Sequence, residues 1–252
     1  MTRILLASLV LLLAGCSSQT AEDEAKPVRF VVIAAPALGA EPEGGAPPTE
    51  DLLYDLVTEL SGDGEFDFCL VPGPLLGSLD PESREALLGA LGQIAGRVYP
   101  ALSSGDGPRQ ELLEALGDKS EGLPGHEGQA AFRGKAVRGF RPIVVGPDGA
   151  EPDGEPDGEE QPEEDRAPHS IAVFAAETRP EASHDLEVTS GDPASLTRVG
   201  ETIRVALPPL GLPPHLYGVV EVAGGVVRLT LRSAEPGAEI PPAPPPLPLK
   251  AR

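Results

Sequence analysis

Four histidines, two cysteines, a Ser-Ser-Gly-Asp run at 103–106 and an acidic stretch at 147–168 are the residues whose types offer chemistry. His126, His169, His184 and His215 show no i, i+4 or H-x-H spacing, so no pair of them offers two imidazoles to one metal from a single element. They read as surface or turn residues. Ser103 or Ser104 would need a base brought from a distant part of the chain before either could act as a nucleophile. Three Pro-Asp-Gly units, at 147, 152 and 156, offer oxygen ligands to calcium, but their spacing matches no EF-hand loop. A G-x-S-x-G elbow, a Walker loop and GxGxxG are all missing from the sequence.

The N-terminus carries chemistry of another kind. Arg3 supplies a short positive region, and Ile4 to Ala14 form an apolar stretch too short to span a bilayer as a mature helix. Leu13-Ala14-Gly15-Cys16 resembles a bacterial lipobox. That resemblance implies cleavage before Cys16 and acylation of its thiol and new amino group. Each buried methylene contributes ~0.8 kcal/mol, so several acyl chains anchor stably where one is marginal. Ser17 in place of Asp after the cysteine implies an exported protein held at the outer membrane and facing the periplasm. Cys69, in the apolar run from Phe66 to Val71, is then without an intrachain partner and reads as a small buried hydrophobe.

The formal charge is −21. Such a surface repels nucleic acid and anionic head groups, and it opposes phosphorylated substrates unless a metal or a basic pocket compensates. With no Trp and three Tyr, the chain also lacks platforms for stacking bases or sugars.

These residues need elements to position them. Residues 1–15 read as a signal peptide and 16–27 as a small, charged tether. The main domain reads as 28–233, with an acidic disordered insertion at 148–167 and a solvated Pro-rich tail at 234–252. Apolar runs at 28–35, 66–71 and 97–102 predict strands covered on both faces. Helices follow them. Thr49 is read as a cap before the stripe Leu52, Leu53, Leu56, Val57 and Leu60, and Asp80 with Pro81 begins the next helix. A third helix is expected over 108–116. From Gln129 the pattern turns to strands, with a hairpin in 129–146 and further strands at 169–175, 201–207, 216–222 and 225–232. This alternation predicts a layered α/β domain.

In order and spacing the strand ends resemble the calcineurin-like metallophosphoesterases, whose motifs run D-x-H, G-D, G-N-H-(D/E) and later G-H-x-H. Phe30-VVIAAPALG resembles the first, with Ala35 and Ala37 in the ligand slots. Phe68-CLVPGPLLGS is similar to the second, with Pro74 for the bridging aspartate after Gly73. Tyr99-PALSSGDGP resembles the third, with Ser104 and Gly105 in the Asn and His slots and only Asp106 remaining. Ile171-AVFAAETRP ends in Ala175-Ala176 where a histidine belongs, and Glu181-Ala182-Ser183-His184 is similar to a remnant of G-H-x-H.

The resemblance implies a layered α-β-β-α sandwich over residues 28–233. It implies a binding or structural pseudoenzyme with no catalytic, cofactor or metal residues, tethered to the membrane through Cys16 and meeting an envelope protein partner. The alternative is a divergent phosphoesterase holding two divalent metals such as Mn or Zn, with Asp106, His184 and the acidic insertion as donors. A calcium-responsive surface protein sensing through the insertion is a third possibility.

Overall fold

Three nearly continuous apolar runs build the parallel half of the first sheet: β1 (Val28–Val32), β2 (Phe68–Pro72) and β3 (Arg97–Ala101). This is a computed structural model describing residues 26–250, except 41–46, 64–65, 79, 95, 107–108, 119–121, 124–127 and 153–168. Cys16 with the leader and most of the tether, His126, and nearly all of the acidic insertion lie outside the described residues.

Helices α1 (Thr49–Asp63), α2 (Pro81–Leu91) and α3 (Arg109–Leu116) alternate with these strands. Their apolar stripes (Leu53, Leu56, Leu87 and Leu91 among them) pack with Val31, Ile33, Cys69 and Val71 on one face of the sheet. Each such side chain, once fully buried, contributes about 1.5–3 kcal/mol relative to exposure. Asp80 caps α2 as expected, its carboxylate accepting from the Ser83 amide at 2.8 Å. A bond from the Ser78 hydroxyl, and after it the one from the Ser83 amide, lower its pKa to about 2. At α1 the helix already includes Thr49, and it is the Pro48 carbonyl that takes the amides of Asp51 and Leu52.

The second sheet is built from β4 (Phe132–Arg133), β5 (Phe140–Val144), β6 (His169–Val173), β7 (Leu186–Ser190), β8 (Ser195–Val199) and β9 (Thr202–Leu207). Its order is β4-β5-β6-β7-β9-β8, with β5, β6, β7 and β9 parallel. The first sheet is completed by β10 (Leu216–Ala223), β11 (Val226–Ser233) and β12 (Leu247–Pro248), in the order β12-β11-β10-β1-β2-β3. Strands β7, β8 and β12 are not foreseen by the sequence pattern.

The two sheets bury a common core. Phe30 stacks on Phe68 at 5.0 Å, Phe68 meets Tyr99 edge-on at 6.0 Å, and Tyr99 reaches Phe132 of the second sheet at 6.1 Å. Val144, Ile171, Val173, Val188 and Val205 complete that layer. The architecture is the expected α/β sandwich. All the described helices lie on the first sheet, and among the described residues none covers the second. The β5–β6 crossover holds the acidic insertion, and its described residues, 145–152, carry no helix, where a parallel pair ordinarily has one.

The Pro-rich tail departs from a purely solvated chain. Most of it is exposed, but β12 pairs with β11, and Arg198 donates to the Pro248 carbonyl from the edge of the second sheet. The tail therefore bridges the open edges of the two sheets.

Candidate functional site

The carboxyl ends of the parallel strands from both sheets converge. Ser190, closing β7, donates to the Gly73 carbonyl after β2 at 3.3 Å, and the Ser104 amide after β3 donates to Glu177 after β6 at 3.0 Å. Open α/β sheets bind ligands at such carboxyl ends.

Beyond β1 the chain stays laddered to the loop after β2. The amides of Ala35 and Ala37 bond to the carbonyls of Pro72 (2.7 Å) and Pro74 (3.2 Å). Both alanines take left-handed backbone conformations, at φ 41 and 46. For L-residues that region costs roughly 1–2 kcal/mol, and it is populated most by Asn, Asp and His. The backbone thus takes a shape that Asp and His populate more readily than alanine, while the side chains present are methyl groups. Gly73 is required for a separate reason. A Cβ there would lie 2.6 Å from the Ala101 carbonyl oxygen and 3.2 Å from the Asp106 carboxylate, so the loops after β2 and β3 close over it.

Asp106 is fully buried. Its carboxylate accepts the amides of Leu75 (2.6 Å), Leu76 (2.8 Å) and Ser103 (2.5 Å). Burial pushes the carboxyl above its ordinary range, while the three amides pull it back. The carboxylate of Asp106 is therefore engaged in bracing two loops.

His184 does not join Asp106. It precedes β7, with Nδ1 3.2 Å from the Ser170 hydroxyl at the start of β6 and Nε2 3.2 Å from Glu151. β6 is five residues long, which at ~3.3 Å per residue sets its ends about 13 Å apart. His184 thus lies at the amino end of the strands, away from Asp106. The stretch that follows β7, where a G-H-x-H would present ligands, is Gly191-Asp192-Pro193-Ala194. The sequence hides this because Leu186–Ser190 (LEVTS) is too polar to stand out as a buried strand. His169 begins β6 at the same amino end. His215 is buried at the entry to β10, with Nδ1 donating to the Leu210 carbonyl at 2.9 Å.

A dinuclear centre needs several oxygen and imidazole donors pointing at two metals about 3.5–4 Å apart. At the carboxyl ends the corresponding positions hold Ala35, Ala37, Pro74, Ala175 and Ala176, with Asp106 already committed. Among the described residues no three His, Cys, Asp or Glu side chains are grouped to hold a metal ion. The residues present do not fit the family's metal pair.

No family model matches the chain, and no curated protein matches it. Among solved structures it is similar to the TT1561 protein of Thermus thermophilus, with a TM-score of 0.54, 15% identity, and coverage of 82% of this chain and 99% of that one. It also matches a purple acid phosphatase from yellow lupin seeds, at TM-score 0.48 and 12% identity, covering 84% of this chain and 52% of that one. A predicted phosphoesterase of Streptococcus pneumoniae matches at TM-score 0.43 and 10% identity, covering 84% of this chain and 95% of that one. At such identities the likeness is one of fold, the two-sheet α/β sandwich shared with the Thermus thermophilus protein.

Proposed function

We propose that this chain is a lipid-anchored protein of the cell envelope that keeps a metallophosphoesterase-like scaffold for binding or structure and does not hydrolyse phosphate esters. One observation carries the reading: Ala35 and Ala37 hold left-handed backbone at the two positions that the resembling motif gives to Asp and His. The frame persists there without a donor atom. A scaffold that has lost its bridging carboxylate to Pro74 cannot neutralise two divalent cations.

The anchor belongs to the same reading and rests on the lipobox-like Leu13-Ala14-Gly15-Cys16. It would hold the domain at the outer membrane, facing the periplasm, where an envelope protein is the partner class that suits a non-catalytic scaffold.

Equilibrium dialysis of the chain from Ser17 onward against manganese and zinc tests the first part. Uptake near zero supports a non-catalytic protein. Two tightly held metals, with phosphoesterase activity on a generic ester, would replace this reading with a divergent enzyme. For the anchor, labelled palmitate should enter the full chain in bacterial cells and fail to enter Cys16→Ala.

A further inference from the structure

The amino ends of the strands, remote from the carboxyl-end loops, line an open cleft of about 570 Å³. That is within the range of small-molecule sites. Lys26, Arg138 and His169 stand on its polar side, and Phe140, Val222 and Leu249 are among its apolar walls. His169 stacks on Phe140, with ring centroids 5.0 Å apart and planes at 24°. Arg138 is fixed by the Pro27 carbonyl at 2.6 Å and by Asp67 at 3.2 Å.

The hairpin beside this cavity runs against the charge of the chain. Residues 129–146, which form the β4–β5 hairpin, hold Arg133, Lys135, Arg138 and Arg141 with no acid, in a protein of formal charge −21. Among the described residues the acids beside the cavity's polar groups are Asp67, on Arg138, and Asp185, 3.6 Å from His169, while Glu22, Asp23 and Glu24 stand two to four residues before Lys26 in sequence. An anion entering here gains Lys26 and the Arg138 guanidinium, of which only Nη1 is bonded among the described residues, while an apolar body is received by Phe140, Val222 and Leu249.

We propose that this cavity binds an amphipathic anion, with a phosphate or carboxylate head on Lys26 and Arg138 and a short apolar body against the aromatic and aliphatic wall. The assignment is independent of whether the carboxyl-end loops hold metals.

Calorimetric titration of the full chain with hexyl phosphate, beside inorganic phosphate and hexanol, is the test. One saturable site for hexyl phosphate, tighter than for either half alone, is the expected result. Lys26 and Arg138 are both exposed, and Arg138 has φ 49, a conformation that asparagine tolerates. The double variant Lys26→Gln, Arg138→Asn should therefore fold, as its melting curve will show, and should bind at least about tenfold more weakly through loss of two charge-assisted contacts. Absence of saturable binding, equal affinity for inorganic phosphate, or unchanged affinity in the folded double variant each overturns the proposal. Vesicles of phosphatidylcholine with and without phosphatidylglycerol identify the source. Competition by the anionic vesicles assigns a membrane head group, and lack of competition assigns a free ester or acid.

Discussion

The carboxylate of Asp106 and the amide of Leu75 meet at 2.6 Å, and through that bond the loop after β3 holds the loop after β2. Leu76 and Ser103 add two more amides to the same buried group. Asp106→Ala would orphan all three donors, each costing about 1–3 kcal/mol when buried without a partner. With partial rescue by water the expected loss is about 3 kcal/mol in urea unfolding. Asp106→Asn keeps an acceptor and should lose less. The two variants also separate by pH. Burial sets the folded carboxyl above its unfolded value, so the pH-linked part of its contribution is complete below the ordinary aspartate range of about 3.9 and is lost as pH rises through the folded value, while the three amide bonds remain. Wild type should weaken relative to Asp106→Asn across that rise. Parallel pH profiles for the two proteins would refute the shift.

The left-handed alanines make a second, opposite prediction. Ala35 and Ala37 lie at φ 41 and 46, where an L-side chain is strained and glycine is free. Ala35→Gly and Ala37→Gly should each stabilise by ~0.5–1 kcal/mol, since relief of strain outweighs the added entropy of the unfolded chain. Denaturant midpoints measure this directly. A loss of stability in both would show that the methyl groups matter for packing more than the backbone does.

Much of this arrangement is legible in the sequence, and the exceptions share a cause. β1, β2 and β3 are covered on both faces, so their residues read as unbroken apolar runs. Asp80-Pro81 announces α2 by its own local chemistry. β7 does not announce itself, because Glu187 and Thr189 lie on the less covered face of the second sheet, where Glu187 is paired with Arg204 at 2.5 Å. Missing that strand is what puts His184 on the wrong side of it and breaks the last motif. β12 is missed because Pro248 reads as a breaker. Proline is tolerated on an outer edge, where no further strand asks for its amide.

Cys69 is fully buried between β1 and β3, and desolvation pushes its thiol far above the ordinary range. Only the thiolate reacts, so this group should be inert in the folded domain. In the chain from Ser17 onward, a disulfide reagent should label nothing in native buffer and one thiol after unfolding. The labelling rate should then follow the global unfolding equilibrium. Rapid native labelling would mean that β2 opens locally.

The tail supplies the last prediction. β11 would be an exposed edge without β12, which pairs Val226 with Pro248 and Val227 with Leu247, while the Leu249 amide donates to Gly225 at 2.7 Å. Arg198 on β8 reaches the Pro248 carbonyl, and Lys250 meets Glu201 beside it. The Lys250–Glu201 pair is well exposed and contributes at most about 1 kcal/mol. The backbone pairing and the half-covered Leu247 and Leu249 supply more. Truncation after Pro246 should therefore cost about 1–2 kcal/mol. It should also leave β11 as an unpaired edge that recruits other chains. Thermal melts would show the first effect and light scattering at rising concentration the second. Arg198→Ala should reproduce part of the stability loss without the scattering, because it cuts one link between the sheets but leaves the edge strand in place.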